Sequence, residues 1–344
     1  QAVHVIDSAI IEGKLHFAVA AVGNTSGQLW SHSAGYRDAQ KTSVAAVDNI
    51  IQIASMTKLI TTIGALQLVE QGLLNLDTPI TVYAPQLSNL QVLTGFDEQD
   101  SPILENANRA PTVRELMTHT GGYVYEVWNA NAKKAGELGL SESETSEGSN
   151  YLAAPLAFEA GTAWEYGINT DWLGVIIERI SGQRLSAYFD EHIFGPLRMV
   201  DTFYELPEEK MNRTVTVMVR AGDELAELPK LQPTPMEKGS MAHYGGGGGL
   251  YSTVADYGRV LQMLLSEGAL EGETLLTVSR MVWGLSFAAL LLVTLSYAAA
   301  NPLKTGTRIG LSRSVEQVGP LLAMTLGAWL AAIAGPRDVF LYLS

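Results

Sequence analysis

Ser55 and Lys58 stand three residues apart in the segment Ser55-Met56-Thr57-Lys58. Residues at i and i+3 lie on the same face of a helix, so the lysine amine can reach the serine oxygen. A serine hydroxyl is a weak nucleophile unless a neighbouring base or cation activates it, and a desolvated lysine serves in either role. The pair therefore predicts an activated serine, with a surface N-cap serine and a solvated lysine as the alternative.

An apolar pattern after the serine predicts the helix that positions this pair. Its apolar residues recur at helical spacing: Met56, Leu59, Ile60, Ile63, Leu66 and Val69. Gly72 is well placed to end the helix, which is predicted to begin at Ser55. The backbone N–H groups of a first helical turn are unpaired, so they favour negative charge on the serine oxygen.

Tyr166 precedes a second predicted helix, which spans residues 171–180 and is closed by Gly182. A phenol on a loop before a packed helix can reach a site that is built elsewhere in the chain. It can accept or donate a proton if a cation such as Lys58 lowers its pKa. A half-buried core aromatic is the alternative interpretation of this tyrosine.

Five sequence blocks occur in the order typical of the serine beta-lactamase-like hydrolases. These blocks are residues 54–58, 66–72, 112–122, 164–167 and 246–253. The chain thus resembles the group of class C beta-lactamases, penicillin-binding carboxypeptidases and family VIII esterases, from about residue 10 to about residue 275. The resemblance implies that Ser55 is the acylated nucleophile, Lys58 its activating partner and Tyr166 the second proton-transfer group.

The resemblance also implies an α/β (α+β) fold, in which an antiparallel sheet flanked by helices carries an inserted, mostly helical subdomain. Residues 1–55 and 240–344 would form the sheet domain, residues 56–239 the helical subdomain, and the active site would lie at their interface. A strand pair at residues 15–22 and 28–36, with turn residues between, is predicted to open the sheet.

Three further segments are predicted to contact the substrate. Class C beta-lactamases have a Tyr-x-Asn motif, but here Asn169 comes one residue late, which favours the esterase branch. Gly247 and Gly248 belong to a five-glycine run that permits close approach to a ligand, with a mobile turn as the alternative. The family's Lys-Thr-Gly on an edge strand has a literal match at Lys304-Thr305-Gly306. This match lies between two apolar runs, and a short polar loop there is the alternative.

Composition excludes several other classes of protein. The net charge of −14 argues against binding nucleic acid through a basic patch. The chain has no cysteine, and it lacks the common zinc, phosphate-loop and Gly-x-Ser-x-Gly signatures, so no cofactor is predicted. The sequence begins with Gln1 and not with methionine, which either a removed leader or a trimmed chain would explain. Localisation is therefore undetermined, with periplasm, cytoplasm and membrane all open.

The atypical, apolar tail at residues 281–344 leaves two interpretations open. Residues 281–303 and 318–336 contain no charged residue, and each run approaches the roughly 20 residues that span a bilayer. A membrane hairpin is one interpretation, and buried strands that complete the sheet are the other.

The sequence thus predicts a serine hydrolase that forms an acyl-enzyme on Ser55, preferably a carboxylesterase acting on small or short-chain esters. A beta-lactamase or a D-amino-acid peptidase is the first alternative. The alternative from another class is an inactive, membrane-associated binding protein that keeps the groove. In each case the expected partner is a small molecule, an ester or an amide.

Overall fold

The structure is a computed structural model that describes residues 2–140, 154–221 and 224–276. Its helices are α1 (Ala2–Ile11), α2 (Thr57–Glu70), α3 (Val113–Met117), α4 (Ala130–Glu137), α5 (Asn169–Ser181), α6 (Leu185–Phe189) and α7 (Val254–Leu265). Its strands are β1 (Phe17–Asn24), β2 (Gly27–Gly35), β3 (Ile51–Gln52), β4 (Gln91–Phe96), β5 (Pro102–Asn106), β6 (Met218–Ala221), β7 (Glu224–Glu227), β8 (Tyr251–Ser252), β9 (Ala269–Leu270) and β10 (Glu273–Thr274). Short 3-10 turns cover Ala54–Met56, Ile80–Val82, Pro85–Leu87, Glu208–Arg213 and Pro229–Leu231, and a π-helical turn covers Asp190–Phe194.

All strand pairs in the described residues are antiparallel: β1 with β2, β3 with β8, β4 with β5, β6 with β7 and β9 with β10. The predicted strand pair near the start of the chain is confirmed, and Phe17 of β1 faces Gly35 of β2. Helix α7 packs against both strands. The predicted mixed fold of helices and antiparallel strands is therefore confirmed.

Helix α2 is the central helix of the core and is buried on nearly every side. The sequence predicts an apolar stripe, yet the polar faces are covered as well, because their hydroxyls find protein partners. The Thr61 hydroxyl donates to the carbonyl of Gly246 at 2.7 Å, and the Thr62 hydroxyl donates to the carbonyl of Lys58 at 2.7 Å. A helix buried on all sides is held in a fixed position, which suits one whose first turn carries functional groups.

The second predicted helix is present as α5, and caps explain where α5 ends and α7 begins. Helix α5 ends at Gly182, whose φ of 70° is left-handed and therefore favours glycine. At the start of α7, the hydroxyl of Thr253 accepts the backbone N–H of Asp256 at 3.2 Å. The cap at Gly182 could be predicted because caps depend on local sequence.

Residues 1–276 group as one compact unit. The predicted division into domains, with breaks at residues 55/56 and 239/240, stays a prediction. The predicted substrate contacts Lys304, Thr305 and Gly306, and the apolar segments 281–303 and 318–336, lie outside the described residues. Within the part of the chain that the structure describes, every helix is too short or too polar to cross a membrane.

Candidate active site

Ser55 lies in the single 3-10 turn Ala54–Met56, which leads directly into α2. The sequence predicts an α-helix that begins at Ser55, but α2 begins at Thr57, so this boundary was wrong. The chain enters the turn at Ala54 with a φ of 44°, a left-handed value that a regular right-handed helix does not contain. The tighter turn still leaves the serine one turn before Lys58.

Lys58 is fully buried, and its ammonium group contacts three oxygens. Its Nζ lies 3.4 Å from Oγ of Ser55, 3.0 Å from Oη of Tyr125 and 2.8 Å from the carbonyl oxygen of Gly247. The predicted contact between the serine hydroxyl and the lysine amine is therefore present. The other two contacts fix the amine in place and hold it against the serine.

The surroundings of Lys58 contain dipoles and aromatic rings. Among the described residues, no carboxylate forms an ion pair with it. Its Nζ lies 5.3 Å from the ring centre of Tyr125 and 4.8 Å from that of Tyr166, distances at which aromatic rings attract a cation. A desolvated lysine with no carboxylate partner is the form in which this side chain serves as a base or a proton carrier.

Tyr166 lies next to Lys58, as predicted, with its ring beside the amine. The Tyr166 ring also packs against Tyr125, at 5.4 Å between ring centres, and against His119, at 4.7 Å. Its hydroxyl is buried and forms no hydrogen bond with any described residue. The hydrogen-bonding capacity of this phenol is therefore unused within the described part of the chain.

Tyr125 is a member of the site that sequence reasoning missed. Its hydroxyl is the phenol that bonds Lys58, although 67 residues separate the two in the chain. The local sequence gives only a weak indication of this role, namely two tyrosines, Tyr123 and Tyr125, directly after the pair Gly121-Gly122. Tyr123 is buried, and this burial raises its pKa, whereas Tyr125 is half-buried and faces the site.

His119 braces the loop that carries Tyr166. Its Nδ1 lies 3.3 Å from the backbone N–H of Gly167 and 3.2 Å from the side-chain amide nitrogen of Asn169. Two N–H donors aimed at one nitrogen require its lone pair, so the imidazole is neutral. Burial, and then the nearby Lys58 cation, hold the pKa of His119 well below its usual value. This geometry gives His119 a structural role in the Tyr166 loop.

Asn169 is the first residue of α5, and its side chain is fully buried. Its amide donates to the backbone carbonyl of Tyr123 at 2.7 Å and lies 3.2 Å from Nδ1 of His119. These bonds give the amide a role in holding the loop before α5. The substrate contact predicted for Asn169 stays a prediction.

The glycine run holds the lysine from the opposite side. The carbonyl of Gly247 accepts the ammonium of Lys58, and its N–H donates to the carboxylate of Asp171 at 2.9 Å. Both backbone groups of Gly247 are thus bonded to protein. An added Cβ at Gly248 would lie 4.0 Å from the carbonyl oxygen of Ala54. The substrate contacts predicted for Gly247 and Gly248 stay predictions.

The close packing of Gly167 allows a test of how strictly the Tyr166 loop is positioned. A Cβ atom added there would lie 2.3 Å from the carbonyl oxygen of Tyr123 and 2.4 Å from Cα of Val124, both of which are backbone atoms. We expect Gly167→Ala to lower the free energy of unfolding by about 3 kcal/mol, because the backbone must shift to remove the clash. Urea unfolding of the purified variant measures this loss.

Gly258 is the matched control for Gly167. It lies inside α7, where an added Cβ would meet no atom within 4 Å. We expect Gly258→Ala to raise the free energy of unfolding by about 0.5 to 1 kcal/mol, because alanine is the better helix former. Equal effects of the two substitutions would contradict the close packing described for the Tyr166 loop.

Comparison with known proteins extends these observations. The profile of the family described as Beta-lactamase matches residues 5–300. The lovastatin esterase of Penicillium rubens is 32% identical over 278 residues, which cover 75% of this chain and 66% of that protein. The acyltransferase mokF of Monascus pilosus is 34% identical over 208 residues, which cover 58% of this chain and 50% of that protein.

A solved structure agrees with this relationship. The unliganded, selenomethionyl simvastatin synthase (LovD) of Aspergillus terreus superimposes with a TM-score of 0.69 at 28% identity, covering 81% of this chain and 70% of that one. The chain spans 66% and 50% of the lengths of the two curated relatives. On the match to the family profile, together with the fold, this chain belongs to the Beta-lactamase family.

Proposed function

We propose that this protein is a serine hydrolase that cleaves carboxylic esters of small molecules through an acyl-enzyme on Ser55. The observation that carries the proposal is the buried amine of Lys58, which lies 3.4 Å from the serine oxygen and is bonded to the phenol of Tyr125. A desolvated amine at this distance is the arrangement that activates a serine hydroxyl. Short-chain esters are the preferred substrates in this proposal.

The proposed reaction moves one proton between the serine and the leaving group. Lys58 takes part in this reaction as a neutral amine. Oγ of Ser55 bonds to the ester carbonyl carbon as its proton passes to that amine, and the bond to the alcohol oxygen then breaks. Tyr166 gives its phenolic proton to that departing oxygen and takes one from Lys58, so the charges balance. Water then adds to the acyl carbon as one of its protons passes to Lys58. The bond from that carbon to Oγ of Ser55 breaks, the serine oxygen takes the proton back, and the acid is released. Tyr125 is the positioning residue that keeps the amine oriented.

Two relatives support esters as the substrate class. One is named as an esterase of lovastatin and the other as an acyltransferase, so the first name describes ester cleavage and the second the transfer of an acyl group. The second of these names favours acyl transfer as a second candidate function, in which an alcohol replaces water in the last step. Beta-lactam or D-amino-acid peptide cleavage, and an inactive binding protein, remain the alternatives that an assay must separate.

A labelling and turnover experiment tests the proposal. The protein is incubated with a fluorophosphonate probe, and any adduct is mapped by peptide mass spectrometry, while p-nitrophenyl butyrate and nitrocefin hydrolysis are followed in parallel. We expect an adduct on Ser55 together with steady ester turnover. Hydrolysis of nitrocefin alone would indicate a beta-lactamase. A folded protein with neither adduct nor turnover would indicate a binding protein. Added butanol that diverts product into butyl butyrate would establish acyl transfer.

Tyr166→Phe tests the second proton transfer. The variant keeps the ring and removes the hydroxyl, so we expect kcat/KM for ethyl butyrate to fall by about 100- to 10,000-fold. The fall should be smaller for p-nitrophenyl butyrate, because p-nitrophenolate is a stable anion that leaves without a proton. Kinetics with the two esters, measured on the same preparation, give the comparison.

Tyr36→Phe is the matched control, since Tyr36 is a half-buried tyrosine that directly follows β2 and forms an isolated β-bridge with Val44. It should leave both rates unchanged. Equal losses for the two esters in Tyr166→Phe would mean that the phenol supports the site without carrying the proton.

A further inference from the structure

Trp128 has a large apolar side chain that is half exposed to solvent and lies beside the proposed catalytic groups. Its exposed fraction is 49%, although tryptophan is usually well buried. Its ring centre lies 5.4 Å from that of Tyr166 and 5.5 Å from that of Tyr125, the two phenols that contact Lys58. One part of the indole ring therefore packs on the site, and the remainder is open to a ligand.

The segment that carries Trp128 is held at several points. The backbone N–H of Trp128 donates to the carbonyl of Tyr125 at 3.1 Å. The next residue, Asn129, caps α4 with its side-chain oxygen, and its amide nitrogen lies 3.2 Å from each carboxylate oxygen of Glu165. Glu165 directly precedes Tyr166, so this bridge joins the tryptophan segment to the tyrosine loop. An exposed aromatic ring held in this way is a preorganised apolar contact surface.

The proposed mechanism decides which half of an ester would meet this ring. Tyr166 delivers its proton to the departing alcohol oxygen, so the two atoms must come within hydrogen-bonding distance. The group attached to that oxygen therefore lies near Tyr166. Of the described rings packed on Tyr166, that of Trp128 is the exposed one. The acyl half is held at Ser55.

We propose that the exposed face of Trp128 binds the alcohol half of the substrate, and that this half is an uncharged apolar ring or branched chain. The inference rests on the proposed function and extends it by naming a specificity-determining residue. The carboxylate of Glu165, held beside Trp128 by Asn129, disfavours an anionic alcohol half through charge repulsion. The indole ring offers an apolar face, which favours flat or cyclic hydrocarbon groups.

Two pairs of substrates test this proposal. Ethyl acetate and 2-cyclohexylethyl acetate share one acyl group and leave as similar primary alkoxides, whereas p-nitrophenyl acetate and hexanoate share one alcohol. We expect the wild-type protein to prefer the cyclohexylethyl ester. In Trp128→Ala, that preference in kcat/KM should fall about 10-fold or more, while the hexanoate-to-acetate ratio stays constant. Trp128→Phe keeps an aromatic face, so its preference for the cyclohexylethyl ester should lie between that of the wild type and that of Trp128→Ala.

Val127→Ala is the matched control, because Val127 adjoins Trp128 in sequence and is 74% exposed. It should change neither ratio. A fall in the acyl ratio in Trp128→Ala would assign the indole to the acyl half and overturn the proposal. A uniform fall with all four esters would reduce Trp128 to a support for the phenols, and would overturn it as well. Labelling of Ser55 by fluorophosphonate establishes that each variant keeps its site.

A binding measurement separates this inference from the proposed function. Titration of Ser55→Ala with 2-cyclohexylethanol, followed by calorimetry, requires no turnover. We expect saturable binding that weakens about 10-fold in the Ser55→Ala, Trp128→Ala double variant. Binding that is absent, or that is equal in the two proteins, would overturn the role of Trp128 even if ester hydrolysis is observed. If 2-cyclohexylethanol binds in this way but the wild type hydrolyses no ester, the role of Trp128 is upheld and the proposed function fails.

Discussion

Replacement of Ser55 by alanine is expected to abolish both fluorophosphonate labelling and ester hydrolysis. The substitution removes one oxygen atom at the surface of the 3-10 turn and leaves the contacts of Lys58 with Tyr125 and Gly247 in place. Loss of an activated nucleophile lowers turnover by on the order of a millionfold in serine hydrolases. Mass spectrometry of the probe-treated variant and continuous hydrolysis of p-nitrophenyl butyrate measure the two effects.

Ser88→Ala is the control for this experiment, because Ser88 is an exposed serine at the end of a 3-10 turn. It should be labelled and should turn over ester as the wild type does. Hydrolysis that persists in Ser55→Ala at a rate near that of the wild type would contradict the acyl-enzyme mechanism. Labelling that moves to a second serine would also contradict it.

Lys58→Met is expected to lower kcat by about 100- to 10,000-fold while changing the melting temperature little. Methionine has a similar length but carries no charge, so the serine loses its activating group. Two opposing effects act on stability. Removal of the buried ammonium relieves its desolvation cost, whereas the carbonyl of Gly247 loses its partner, at a cost of about 1 to 3 kcal/mol. Ester kinetics and thermal unfolding of the same sample provide both numbers.

The contrast between activity and stability decides the role of the lysine. A lysine kept for folding would show a large fall in melting temperature, with normal activity in the molecules that remain folded. Lys133→Met is the matched control, since Lys133 is an exposed residue of α4 that pairs with Glu137 at 3.9 Å. It should leave both measurements within error of the wild type.

Features that depend on neighbouring residues could be predicted from the sequence. The contact between Ser55 and Lys58 follows from a spacing of three residues, and it survives even though the turn is 3-10 instead of α. Gly182 could be assigned as the end of α5 because a left-handed closing residue selects glycine. The opening strand pair could be recognised because its turn residues and its alternation are local as well.

Features that depend on distant segments could not be predicted in the same way. The phenol that bonds Lys58 comes from Tyr125, and the carbonyl comes from Gly247, which is 189 residues further along the chain. No periodicity links residues at such distances. The sequence analysis therefore predicted the glycine run as a substrate contact and did not assign Tyr125 to the site. Asn169 was assigned from a motif position, and its bond to the carbonyl of Tyr123 could not be predicted from that position.

The bond between Lys58 and Gly247 also concerns the synthesis of the protein. A ribosome finishes the Ser55 segment long before it reaches residue 247, and during that interval the amine lacks the carbonyl that holds it. Under the proposed mechanism, the nascent chain therefore carries its serine in a form that is not yet organised to attack an ester. We expect reactivity to arise late, once the glycine run has docked on α2.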